Sequence, residues 1–191
     1  MATQEDMNND LTPLHSAAAT GNTELVDLLL KAGPSPSVVN SEGQTPLHVA
    51  AHNSNTESAD LLLKAGASTS VVDNHSDTPL QTAIDTGNTE LVDLLLKAGA
   101  SPSVVDTEGQ TPLQLAVRLD RTEIVDLLLE AGASPSVVDN VGDTPLHRAT
   151  LTENTEIVNL LLKAGASLSV VDNDVNKPSV KLRESNIKLF K

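Results

Sequence analysis

A chain of 191 residues with 39% hydrophobic content has enough apolar material for a core and is not disordered. It has no cysteine, no apolar run long enough to span a bilayer and no basic-then-apolar amino terminus, which points to a reducing cytosol and away from membranes. The net charge of -14 is uneven: residues 177–191 carry five cations against Glu184, a balance of +4 that leaves -18 on the rest, and Phe190 is the single aromatic, so neither phosphates nor bases find a platform and nucleic acid is excluded as a partner.

Residues 1–11 form a short acidic extension. The triplet Thr-Pro-Leu then begins at Thr12 and returns at Thr45, Thr78, Thr111 and Thr144, a register of 33 residues. A fixed period of this size marks a stacked array in which no unit buries its own helices. Within one period, Thr111 caps a short helix whose first residue is Pro112, where a missing N–H costs nothing. One period earlier, Gly87 ends the corresponding helix in the left-handed conformation, Asn88 or Thr89 caps the next, and Glu90 lies in its positively polarised first turn. Leu91, Val92, Leu94, Leu95 and Leu96 give that second helix an apolar face too wide for a lone helix, and Gly99 stops it. "ASPSVVDTEGQ" then runs extended and turns at Gly109.

Several units depart from the pattern. The second has Ser58-Ala59 where the third and fourth have Leu91-Val92 and Ile124-Val125, which makes it the expected loosest unit. Asp27/Lys31, Asp60/Lys64 and Asp93/Lys97 are i,i+4 pairs on a solvated face, whereas Asp126 meets Glu130 in the fourth unit and repels it. In each Ser-Val-Val, neighbouring residues point to opposite sides, so one column, either Val38/Val71/Val104/Val137 or Val39/Val72/Val105/Val138, is expected to be exposed. "DNDVNKPSVKLR" from Asp172 imitates a calcium loop but has Lys177 in place of the bend glycine and Arg183 in place of the bidentate glutamate, so it reads as a polar turn.

The period, the paired helices, the Ala-Gly helix ends and the string Thr-Pro-Leu-His at Thr12, Thr45 and Thr144 resemble the ankyrin repeat family. The resemblance implies an all-α solenoid of stacked helix-turn-helix units with β-turn or hairpin loops. It covers residues 12–176 as five repeats (12–44, 45–77, 78–110, 111–143, 144–176), with 177–191 as a truncated basic sixth. It also implies that His15, His48 and His147 tie turn to helix by a hydrogen bond. Gln81 and Gln114 stand at the same place, and glutamine can hydrogen-bond as histidine does but cannot relay a proton in its stead. With no phosphate loop, nucleophile elbow or metal-ligand set, no enzyme activity, cofactor or metal is expected.

The family is one of binding modules, so the expected partner is another protein, held on the concave face made by first helices and turn tips. On the first helices, Ser16/Ala19/Thr20, Val49/His52/Asn53, Thr82/Asp85/Thr86, Leu115/Arg118/Leu119 and Arg148/Leu151/Thr152 share that face. The last two sets are bulky, and together with Arg121 they hold every arginine before the tail. Leu115, Arg118, Leu119, Arg121, Arg148 and Leu151 are therefore the candidate hot spot for a partner offering carboxylates and an apolar anchor. His52 and Asp85, with His75, Asp77, Glu108, Gln110, Val141 and Asp143 at the tips, complete the candidate surface. The chain is expected to be a monomer, with self-assembly through weakly capped ends, or a consensus-like engineered scaffold, as the alternatives.

Overall fold

In a computed structural model the protein is described from residue 11 to residue 171, apart from Glu153, together with Asn173 and Pro178. The extension before Leu11 lies outside the described residues, as do the calcium-loop imitation from Asp172 and the basic segment from Lys177, apart from Asn173 and Pro178.

Among the described residues, ten helices form five antiparallel pairs: α1 (Pro13–Thr20) with α2 (Thr23–Lys31), α3 (Pro46–His52) with α4 (Thr56–Lys64), α5 (Pro79–Thr86) with α6 (Thr89–Lys97), α7 (Pro112–Arg118) with α8 (Thr122–Glu130), and α9 (Pro145–Leu151) with α10 (Thr155–Lys163). No strand occurs among the described residues. Odd helices pack on odd neighbours and even on even, so the array has two layers and one continuous core between them. Leu47, Leu80, Leu113 and Leu146 from the odd layer meet Leu62, Leu95, Leu128 and Leu161 from the even layer, all without solvent contact.

The helix ends follow the local chemistry. Each odd helix has a threonine cap in extended conformation and proline in its first turn. Asn88 caps α6 by accepting from Leu91 N at 3.0 Å. Gly21 and Gly87 close α1 and α5 in the left-handed region, but the same corner is held by Ser54 and Asp120 in the second and fourth pairs, at φ near 58°. A side chain there costs energy that glycine avoids. The ion pairs of Asp27, Asp60 and Asp93 form at 2.5–2.6 Å on exposed surface.

The extended segments end in tight turns, here called fingers one to four: Asn40–Gln44, Asp73–Asp77, Asp106–Gln110 and Asp139–Asp143. In each, the first side chain accepts from two backbone N–H groups farther along the turn. Of the two valine columns, Val39/Val72/Val105/Val138 is exposed throughout and Val171 continues it, while in the other column Val137 is exposed and Val38, Val71 and Val104 are half-buried.

Candidate functional site

Each odd helix carries a buried histidine or glutamine at its third position, and in α1, α3 and α7 this side chain ties the helix cap to the end of the following finger. In α3, His48 Nδ1 accepts from Thr45 N at 3.0 Å, so its proton sits on Nε2, which donates to the carbonyl of Asp77 at 3.0 Å at the end of the following finger. Gln114 does the same with an amide: Oε1 accepts from Thr111 N and Nε2 donates to Asp143 O at 2.8 Å. His15 reaches Gln44 O at 2.9 Å. These groups are spent on architecture. Burial lowers the pKa of His15 and His48, against the weaker pull of their carbonyl partners. The neutral tautomer is the one both hydrogen bonds require.

A cap of threonine, proline and a buried histidine or glutamine, recurring every 33 residues and bridging to the next unit from α1, α3 and α7, is a joint between repeats. A family model of ankyrin repeats in three copies matches residues 2–73, 66–139 and 82–172. The chain belongs to the ankyrin repeat family. No curated protein sequence matches it.

The outward face of the odd layer is the surface on which a partner is expected, and here the structure corrects that surface at several positions. Leu115 is only 5% exposed and joins the core, because α7 packs against α5 and α9 on both sides. It anchors the helix and cannot serve as a contact residue in this conformation. Gln110, expected at a tip, is buried too: its amide donates to Glu108 Oε2 at 2.9 Å, and its Oε1 accepts from Arg118 Nε at 3.2 Å. Arg148 is only partly exposed. It forms ion pairs with Asp139 at 2.9 Å and Asp143 at 3.1 Å, which places it in the fourth finger's foundation. Asp139 is 2% exposed at its side chain and needs that cation. Replacing Arg148 is therefore expected to affect folding, contrary to the surface role that its spacing suggests.

Arg121 occupies the cap position of α8, where pairs one, three and five have a capping asparagine, and makes no cap. Its guanidinium reaches back over Gly87, donating to Asp85 O at 3.4 Å. Arg118 and Arg121 stay exposed despite these bonds, and Leu119 is half-buried at the end of α7. Leu151 is 75% exposed and Val141 53% exposed. His52, His75, Asp85 and Glu108 are exposed, whereas Asp77 and Asp143 are half-buried. Burial raises the pKa of Asp77, and Asp73 and Asp106 push it in the same direction.

Sequence spacing missed the internal ion pair, because Arg148 and its two carboxylates lie on different elements. A signal was present: the fourth finger alone combines Asp139 and Asp143 with an arginine at the start of the following helix. Among the described residues no group of three or more His, Asp or Glu is placed to hold a metal, and no helix is long and apolar enough to cross a membrane.

Proposed function

We propose that this ankyrin array is a cytoplasmic protein-binding module whose contact surface is the concave face of its fourth and fifth repeats. The observation that carries the reading is the joint exposure of Leu151, Val141, Arg118 and Arg121 in two consecutive repeats, in a chain whose large apolar side chains are mostly in the core. An apolar anchor next to guanidinium groups suits a partner segment with an aliphatic or aromatic side chain and flanking carboxylates. His52, Asp85, His75, Asp77 and Glu108 extend the surface toward repeats two and three, where acidic groups reject acidic partners and narrow the choice.

The test is binding to a captured partner by variants with an unaltered fold. Leu151→Ala with Val141→Ala is expected to speed dissociation at least tenfold, and Arg118→Ala with Arg121→Ala to slow association and weaken its salt dependence. Unchanged affinity in the combined variant, with native circular dichroism, would exclude this face.

A second reading has one observation in its favour. Leu25 and Leu28 of α2 are exposed, although Leu91, Ile124 and Ile157, which match Leu25 in register, are buried by the preceding repeat. Self-association through this end would appear as a concentration-dependent mass in light scattering.

A further inference from the structure

We propose that the array is hinged between its second and third fingers, so that the first two repeats and the last three move as two blocks.

Neighbouring fingers are linked by a ladder. Asn74 N donates to Glu42 O at 2.9 Å, Asn140 N to Glu108 O at 3.2 Å, and Asn173 N to Val141 O at 3.3 Å. The side chains of the same asparagines donate to Ser41 O, Thr107 O and Asn140 O. Every one of these crossings runs over a glycine. A Cβ on Gly43 or Gly109 would lie 3.2 Å from the incoming asparagine N, and one on Gly142 only 2.8 Å away. The close approach exists because glycine has no side chain.

The second finger breaks this arrangement on both sides of the gap. Its glycine position is Ser76, held at φ 67° and carrying the Cβ that the others lack. The third finger offers Thr107 where its counterparts offer asparagine, so the side-chain donor is missing as well. Among the described residues, Thr107 N makes no hydrogen bond to His75 O.

The loss extends beneath the finger. His15, His48 and Gln114 each reach the carbonyl that ends the following finger. Gln81, at the same place in α5, is 1% exposed, and its Nε2 has no partner. The carbonyl it would reach by register is that of Gln110, in the same third finger. A buried amide left unpaired is costly, and it marks a joint that is not closed. Charge acts in the same direction, since Asp106 of the third finger is among the groups that raise the pKa of Asp77 in the second. In the fourth finger, by contrast, Arg148 neutralises Asp139 and Asp143. Three independent couplings fail at one junction, while the odd and even helices stay packed across it. The fingers on either side can therefore spread about the helix layers, and the concave face changes its aperture there.

The chain has no cysteine, so two labels can be placed without background. Spin labels on Glu42→Cys and Val141→Cys, in fingers one and four, span the junction, while labels on Lys97→Cys and Lys163→Cys lie within the last three repeats. Pulsed electron resonance is expected to give a broad distance distribution for the first pair and a narrow one for the second. Adding Ser76→Gly with Thr107→Asn, the residues other fingers already use, should narrow the first distribution about twofold and leave the second unchanged. In the unlabelled chain, the Thr107 amide should exchange about tenfold faster than Asn140, and in the Ser76→Gly variant the two rates should converge. Equal widths for the two label pairs, or a broad first distribution that the restored glycine does not narrow, would overturn the hinge.

Discussion

Replacing Ser58 by leucine and Ala59 by valine converts α4, TESADLLLK, into TELVDLLLK, the sequence of α2 and α6. In α6 those positions are Leu91 and Val92, both fully buried. Ser58 is just as buried, and its hydroxyl has no hydrogen-bond partner. It borders an open, mostly polar cleft with Gly21, Asn55, Glu57 and Glu90. Burying a leucine side chain is worth about 1.5–3 kcal/mol, and removing an unpaired hydroxyl adds about 1–3 kcal/mol. The valine methyls add less, because Ala59 is already enclosed and overpacking costs about 1–3 kcal/mol. A net gain of about 2–4 kcal/mol follows from these opposing contributions. At roughly 2–4 °C per kcal/mol for a chain of this size, the unfolding temperature should rise by about 5–15 °C. Thermal circular dichroism measures the rise, and hydrogen exchange locates it. Amides of Leu61, Leu62 and Leu63, expected to exchange faster than those of Leu94, Leu95 and Leu96 in the native chain, should become equal to them. If the two groups are equally protected before substitution, or if the double variant melts lower, then Ser58-Ala59 is not a packing defect and the reasoning fails.

Stability should also depend on pH through His48. Burial depresses its folded-state pKa, so stability is complete above about pH 6.5 and falls as the unfolded chain takes up protons below that value; urea titrations at pH 7.5 and 5.5 should show the loss, and His48→Gln should reduce it while keeping both hydrogen bonds, as Gln114 does. Asp77 has the opposite sign, since its raised folded-state pKa means that ionisation weakens the fold as pH rises through its range; Asp77→Asn should therefore raise the midpoint of urea unfolding at pH 7. Arg148→Ala should cost about 1.5–3 kcal/mol in urea unfolding, because the buried Asp139 loses its cation, whereas Arg118→Ala should stay within about 0.5 kcal/mol. Ser54→Gly should stabilise the second repeat by roughly 1 kcal/mol by relieving its left-handed backbone, visible as a higher melting temperature.

The threonine caps, the proline starts and the glycine stops act within a few residues of one another and return every 33, so the sequence alone determined the family, the paired helices and the recurring leucines of the core. The i,i+4 pairs Asp27/Lys31, Asp60/Lys64 and Asp93/Lys97 were legible for the same reason: helical geometry fixes their distance. Burial at a repeat junction is a different kind of quantity, since it depends on residues one period away. Spacing placed Leu115 on an outward face, and only the packing of α5 and α9 on either side of α7 closed it off. Spacing likewise gave Arg148 to a partner, but the fold brought Asp139 and Asp143 within 3.1 Å and satisfied its charge internally. Which valine column is exposed, and that Ser76 leaves the third finger uncoupled, were likewise decided by tertiary structure, because each depends on how closely one repeat's backbone approaches the next.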